Sequence, residues 1–369
     1  MLDSDLRCQT HSLSVVLMLF WFLKRFLEGR LLMMVFVSGT GVVLPENVPD
    51  NNLLLPFGSP RRPHDTLLNS LPLEEKTLMR ALRRVSRYMR LAIQSADAAR
   101  GDKGGNGESC DDLGVLLGTT LGPSREILLF EESVYKQPQF VNPFTFATAT
   151  FNVCAGALAI AMGARGACSV LTAELCSTAY AVAYATELLK LGSSRAILAG
   201  GVEELSAGMK EYLDAGGYDS TEVWSEGAIT LFLEAKGNGL REPCGAILET
   251  ASVSYHTPKD LLQGIKYCWS ALHSRTPGVN NVDTKIIVFN GNAPISPEVA
   301  DEVVNVFPEN VLIISFMWPG DPIGLVGAFD IAASFYELST TFRHEPATRL
   351  VYFCVGFHTI VSFLLCHPS

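Results

Sequence analysis

The chain has 369 residues, 48% of them hydrophobic and 18% charged, with a formal net charge of −10. That length carries a large buried core, as one α/β unit or two fused halves, and an acidic balance without a basic run argues against nucleic acid as a partner. The nine cysteines are scattered and odd in number and form no C-x-x-C pair, so they read as reduced thiols of a cytoplasmic protein, with neither a disulfide framework nor a metal site expected.

Residues 1–32 look foreign to the rest of the chain. Val15 to Leu23 is a run of nine apolar residues followed by Lys24 and Arg25. It is too short to span a bilayer, and Asp3 and Asp5 and the missing small-residue cleavage site make it a poor signal peptide. Phe20, Trp21, Phe22, Lys24, Arg25 and Phe26 are amphipathic enough for an interfacial anchor. The plainer expectation is an N-terminal extension outside the fold, with the first strand starting at Met33 or Met34 in MMVFVSGTGVVLP.

Asn47 to His64, rich in Pro and Asn, reads as loop. Leu73 to Ala99 reads as helix, with Glu74 and Glu75 in its first turn as the dipole prefers. Its Arg80, Arg83, Arg84, Arg87 and Arg90 form either a solvated face or a basic patch for an acidic partner. Gly101 to Asp112 is a glycine-rich surface loop, Leu113 to Gly118 a buried strand, and GTTLGPS at Gly118 to Ser124 a loop suited to a pocket. No Walker loop or G-x-G-x-x-G fingerprint occurs, so no nucleotide cofactor is expected.

The most informative stretch is Asn152 to Gly201. It reads as a helix from Ala155 to Met162, a break at Arg165-Gly166, and a short strand over Ser169 to Thr172. A turn comes next, at Ala173-Glu174-Leu175-Cys176. Then there is a helix from Ser177 to Leu191, thinned by Ala179, Ala181, Ala183 and Ala185, and ended by Gly192 in the left-handed C′ position. Arg195 to Ala199 is the next strand. A strand turning sharply into a buried helix presents a side chain at the helix N-terminus, where free N–H groups and the macrodipole favour a thiolate or another anion.

These fifty residues resemble, without a gap, the nucleophile elbow of the β-ketoacyl-acyl-carrier-protein synthases, a thiolase-like family. The markers are N-x-x-A-G at Asn152, Ala155 and Gly156, G-x-R-G at Gly163 to Gly166, and A-G-G at Ala199 to Gly201. In that register the family's nucleophilic cysteine falls on Leu175, and Cys176 lies one residue further on. One residue at a helix start swings a side chain by about 100°. Cys176 is then either a small buried residue of the helix or the nucleophile of an altered elbow.

Beyond Gly201, Val202 to Trp224 is shorter than its counterpart in the family. Ser225-Glu226-Gly227-Ala228 resumes the resemblance, with Glu226 expected to satisfy backbone donors. Ile229 to Glu234 and Ala246 to Tyr255 are strands, placing the two halves at 33–240 and 241–369. Leu261 to Leu272 reads as helix, and Lys285 to Phe289 and Val311 to Ser315 as strands. The resemblance puts a catalytic histidine after the first of these, where Asn290 stands. It puts a second histidine in Gly320 to Ala328, where Asp321 stands, with Phe316 in place of a lysine. Leu350 to Leu365 gives two closing strands around Gly356. The family's glycine-rich turn is reduced to Val355-Gly356-Phe357-His358, where His358 either lines the pocket or is structural.

The resemblance implies a thiolase-like α/β fold of five layers, αβαβα, made of two similar halves, and a dimer paired through the strand beside the elbow. Condensation by such a fold needs a thiolate to take the acyl chain. It also needs two neutral histidines to polarise the malonyl thioester, and an oxyanion hole. Leu175 can neither attack nor donate, Asn290 keeps only an amide donor, and an ionised Asp321 repels an enolate. Three readings are open. The first is a non-catalytic subunit of chain-length-factor type, paired with an active ketosynthase or with itself in fatty-acid or polyketide assembly, with acyl carrier protein as a further partner. The second is an active synthase or acyltransferase using Cys176. The third is a structural or binding protein that has left acyl chemistry. None calls for a cofactor, a metal or a membrane.

Overall fold

The computed structural model describes residues 34–43, 53–56, 85–101, 112–215, 226–235, 243–276, 283–317, 323–340, 342, 344–345 and 347–367. The expected extension at 1–32, the helix before residue 85, and Asp321 lie outside the described residues. Met34–Ser369 is one compact unit.

Eleven strands are described: β1 (Val35–Val43), β2 (Leu53–Pro56), β3 (Leu113–Gly118), β4 (Cys168–Leu171), β5 (Ala196–Glu203), β6 (Gly227–Glu234), β7 (Gly245–Ser254), β8 (Thr284–Asn290), β9 (Leu312–Met317), β10 (Arg349–Val355) and β11 (Thr359–Cys366). They form one sheet in the order β2-β9-β8-β10-β11-β7-β1-β6-β5-β3-β4. The order contains an internal repeat. The N-terminal strands lie as β4-β3-β5-β6-β1 and the C-terminal ones as β9-β8-β10-β11-β7, which is the same permutation of five. The directions repeat as well: β3 runs parallel to β4 and β5, and β8 to β9 and β10, while the two remaining pairings in each half are antiparallel. The halves join where Val35 to Val37 pair with Ile247 to Gly245, and β2 adds an extra antiparallel edge on β9.

Nine helices are described: α1 (Arg87–Arg100), α2 (Ser124–Lys136), α3 (Pro143–Thr148), α4 (Val153–Met162), α5 (Ser177–Lys190), α6 (Ala207–Ala215), α7 (Pro258–Ser274), α8 (Pro297–Val304) and α9 (Val326–Thr340). The third strand-to-strand connection of each half contains α5 or α9, and these two helices pack on each other between the two halves of the sheet. Their cluster includes Cys176, Ala179, Val182, Ala185, Phe329 and Ile331. One outer face is covered by α1 and α4 and the other by α7 with α8, giving five layers.

The small residues of the sequence let the central elements approach closely. A Cβ on Gly327 of α9 would lie 2.6 Å from the Ala179 backbone of α5, so the central helices meet at glycine on alanine. A Cβ on Gly118, at the end of β3, would meet the Ser177 backbone at 2.3 Å. The start of α5 can therefore seat directly on the strand end. Thr178 ties the halves together: its hydroxyl donates to Gly324 O at 2.7 Å and accepts from Ala328 N at 3.3 Å. Helix α4 ends at Gly163 with φ 67°, just before Arg165-Gly166, because a left-handed glycine satisfies the last carbonyls at once. Helices α2, α3, α6 and α8 are additions to the elements expected from the sequence, and β2 is a short strand inside Asn47 to His64, which reads as loop.

Candidate functional site

The strand β4 leaves the sheet at Leu171. A single turn of tighter helix, Glu174–Cys176, links it to α5. Glu174 has φ 49° and is the one non-glycine residue with positive φ among the described residues. Such a conformation costs about 1–3 kcal/mol and persists only where neighbours over-determine it. Here they do. The Glu174 carbonyl accepts from both Thr120 Oγ1 and Ser177 Oγ at 2.7 Å, and Ser177 Oγ also accepts from Ala173 N at 3.0 Å.

The loop carrying Thr120 is held from beneath by a buried carboxylate. Glu203, at the end of β5, accepts from Thr119 Oγ1 at 3.1 Å, from Leu121 N at 2.9 Å, and from Thr120 N. Complete burial pushes the Glu203 carboxyl up to about 7 against the pull of these donors.

Facing the elbow lies the turn between β10 and β11. Asn290 accepts from Val355 N through Oδ1 at 2.8 Å, and its Nδ2 donates to Val355 O at 3.1 Å and to Asn292 Oδ1 at 2.7 Å. Tyr255 donates its hydroxyl to Gly356 O, its own N–H donates to His358 O at 2.9 Å, and Gly356 N donates to Thr359 O at 2.8 Å. Burial pushes the Tyr255 hydroxyl up to about 12. The turn is therefore fixed on three sides. The Phe357 N–H that remains donates to Glu174 Oε2 at 3.2 Å.

Leu175 and Cys176 are buried, at 8% and 0% exposure, while Glu174 is exposed. Cys176 lies within reach of two carbonyls, Cys354 O and Thr359 O, each at 3.4 Å. The neighbouring Cys354 thiol and burial push the Cys176 thiol well above its ordinary range, although the Gly356 N–H works the other way. A thiol at a helix start is activated only where its anion is solvated or paired, and this one faces the core. Both amide hydrogens of the buried Asn290 are spent on Val355 and Asn292, so the donor expected to polarise a substrate is used inside the fold. Phe316 is buried on β9, and His358 is exposed beside the turn.

Two further residues differ in role from the sequence reading. Glu226 accepts at 3.5 Å from Leu205 N, as expected of a residue satisfying backbone, but its main partner is Arg87 in an ion pair. Arg87 is thus drawn into the structure and is no member of a free basic patch. Glu174 is the site residue that sequence reasoning misses. Its signal is only that it is the charged residue of an otherwise apolar turn, A-E-L-C. Away from the elbow, a cavity of about 600 Å³ opens between α1, α2 and α6, lined by Arg87, Arg125, Leu128, Leu129, Glu204 and Glu226 among others. Burial pushes the Glu204 carboxyl up to about 7. No helix of the described residues is long and apolar enough to cross a membrane.

Residues 71–247 match the family model described as the β-ketoacyl synthase N-terminal domain. The chain is similar to the 3-oxoacyl-[acyl-carrier-protein] synthase 2 of Rhizobium meliloti (strain 1021), with 35% identity over 127 residues; the match spans 33% of this chain and only 30% of that relative's length. Among solved structures it is similar to the ishigamide ketosynthase/chain length factor, with a TM-score of 0.70 and 19% identity. A β-ketoacyl synthase from Burkholderia phymatum STM815 gives 0.70 and 16%. A type II PKS acyl-carrier protein in complex with its ketosynthase bound to the hexaketide gives 0.68 and 15%. Each covers 91% of this chain and 100% of the other. At these identities the structural likenesses speak for the fold, which is thiolase-like.

Proposed function

From a chain that carries a β-ketoacyl synthase N-terminal domain at residues 71–247 on a thiolase-like fold, we propose a non-catalytic ketosynthase-like subunit of fatty-acid or polyketide assembly, of chain-length-factor type. The observation that carries this reading is the elbow. Acyl transfer needs an exposed nucleophile at the turn, and the turn exposes Glu174 while Leu175 and Cys176 are buried. A carboxylate in hydrogen-bond contact with a backbone donor is a poor acyl acceptor. Asn290, committed to Val355, has no hydrogen left for a thioester carbonyl. Asp321, the third altered position by the resemblance, belongs to the same reading, as does the division into halves at 33–240 and 241–369.

The proposed partner is an active ketosynthase or a second copy of this chain. In the order of strands β4 ends the sheet, pairing only with β3 among the described strands. An open strand edge of this kind accepts another strand unless it is guarded by charge or proline, and Cys168–Leu171 has neither. The helices packed on β4 are α4 and α5, which expose Ile160, Tyr180 and Tyr184. Aromatic side chains of this kind are favoured in interface cores. An acyl carrier protein is proposed as a transient third partner.

The test is co-expression with intact ketosynthases, followed by affinity purification and an assay for carbon dioxide release and 3-oxoacyl product. The expected result is a stable pair with one ketosynthase and no product from this chain alone. Turnover by the isolated chain, abolished by Cys176→Ala, would overturn the reading.

A further inference from the structure

We propose that Glu174, in place of Leu175, is the side chain the elbow presents. Its carboxylate takes the Phe357 N–H that an acyl carbonyl oxygen at the elbow would need, so the chain itself closes the elbow to thioesters. This deepens the non-catalytic reading and rests on it for the nature of the excluded ligand, an acyl thioester.

Three observations converge on it. First, of the three residues of the turn only Glu174 is exposed, and the core takes up the other two. Counting back from Ala199 to Gly201 assigns the elbow to Leu175, but that count assumes a regular helix start. The extra tight turn at Glu174–Cys176 breaks the assumption. Second, Glu174 is held in the left-handed region by two hydroxyl donors on its carbonyl, from Thr120 and Ser177. A non-glycine residue kept there against its own preference marks a position whose side-chain direction is fixed. Third, the donor it meets is pre-aimed. Val355 is clamped by Asn290, Gly356 O by Tyr255 and Gly356 N by Thr359. Phe357 N–H is thus directed at the elbow, where it meets Glu174 Oε2 at 3.2 Å. A carboxylate on a fixed N–H forms a charge-assisted bond that a neutral carbonyl oxygen competes with poorly.

The test uses the whole chain with Glu174→Cys, Leu175→Cys and Glu174→Ala. In Glu174→Cys the new thiolate can attack a butanoyl thioester. The Sγ–acyl bond forms, the original thioester bond breaks, and the departing thiolate takes back from solvent the proton that the cysteine released on ionising. Peptide mapping after iodoacetamide is expected to show the new thiol of Glu174→Cys alkylated about tenfold faster than that of Leu175→Cys, and only the former gaining a butanoyl group. In Glu174→Ala the Phe357 amide is expected to exchange with solvent about tenfold faster than in the wild type, in keeping with the loss of one charge-assisted hydrogen bond. Added sodium acetate is expected to slow that exchange in Glu174→Ala and leave the wild type unchanged. Labelling of Leu175→Cys as fast as of Glu174→Cys, or unaltered Phe357 exchange in Glu174→Ala, would overturn the proposal. These readouts report on the elbow alone. Failure of the partner reading would show in co-purification and leave them as they are.

Discussion

Asn290 and Val355 hold each other by two hydrogen bonds: the Val355 N–H donates to Oδ1 at 2.8 Å, and Nδ2 donates to the Val355 carbonyl at 3.1 Å. The side chain imitates one rung of a sheet at the point where β10 ends and the turn facing the elbow begins. Val355 is wholly buried, so nothing replaces these bonds if the amide is removed. Asn290→Ala is expected to lower the unfolding free energy by about 2–3 kcal/mol, the cost of stranding two buried backbone groups. Urea titration measures it, and a change within about 0.5 kcal/mol, as surface sites give, would contradict the clamp.

Much of the fold is legible in the sequence because its signals are local. Leu113 to Gly118 and Ile286 to Phe289 are unbroken apolar runs, and they lie in the buried strands β3 and β8. The alanines of α5 and the left-handed Gly192 announce a thin helix and its end. Helix α2 is a different case: Ile127, Phe130 and Val134 recur at helical spacing, but Ser124 is its one buried residue, so its apolar side chains do not mark a core face. The site is legible in outline only. The position of the elbow can be counted, but the direction of each side chain cannot. That direction depends on a positive φ at Glu174 and on hydroxyls from residues 120 and 177, neither of which leaves a trace in spacing. The commitment of Asn290 to Val355, 65 residues away, is likewise invisible until β8 and β10 are paired.

Glu203 makes stability depend on pH in an unusual direction. Its folded carboxyl sits at about 7 against an ordinary 4.5, so between those values the folded state binds more protons than the unfolded one. Stability therefore falls as pH rises from about 4.5 to about 7 and is flat beyond, for this group alone. A shift of that size corresponds to on the order of 3 kcal/mol. Glu203→Gln removes the titration and keeps one acceptor oxygen, which serves either Thr120 N or Leu121 N with Thr119 Oγ1 but not both, a loss that does not change with pH. The variant is expected to gain on the wild type as pH rises from about 5 to about 8, measured by chemical denaturation at each pH. Parallel curves for the two proteins would show that Glu203 is ionised throughout.

Thiol chemistry separates the cysteines by burial. Cys176, buried and pushed up by Cys354 and desolvation, is expected to stay unmodified by iodoacetamide at about pH 8 in the folded protein, while the exposed Cys168 and Cys244 are alkylated. Peptide mass mapping before and after denaturation reads the difference. Fast modification of Cys176 in the native state would restore it as a nucleophile.

The open edge at β4 predicts where pairing is lost. Tyr180 and Tyr184, at 37% and 44% exposure on α5, flank that edge. Changing both to Asp is expected to weaken self-association, or association with a ketosynthase, by roughly tenfold or more, because truncated aromatic anchors cost about 2 kcal/mol or more at interface centres. Sedimentation equilibrium gives the constant, and the monomer is expected to remain folded, with a thermal midpoint lowered by the loss of the covered part of each ring. An unaltered constant would move the interface elsewhere.

Supplying a nucleophile should not supply condensation. In Glu174→Cys the thiol stands where the carboxylate stood, and Phe357 N–H is free to hold the carbonyl oxygen of an acyl group. The second half-reaction needs a donor that stabilises the enolate formed when malonyl thioester loses carbon dioxide. Asn290 is the residue placed for that by the resemblance, and its hydrogens already bond Val355 and Asn292. Turning the amide toward substrate would abandon Val355 at a cost of about 2–3 kcal/mol. Asn290→His does no better, because a neutral imidazole has one donor and one acceptor and cannot hold both Val355 groups and still donate to a substrate. Glu174→Cys is therefore expected to become acylated once per chain and then stop, with no carbon dioxide released above the wild-type level. Glu174→Cys with Asn290→His is expected to lose stability before it gains turnover. Mass spectrometry of the acylated chain and counting of radiolabelled carbon dioxide measure the two steps separately. Sustained product formation by the single variant would show that Asn290 is not what limits the site.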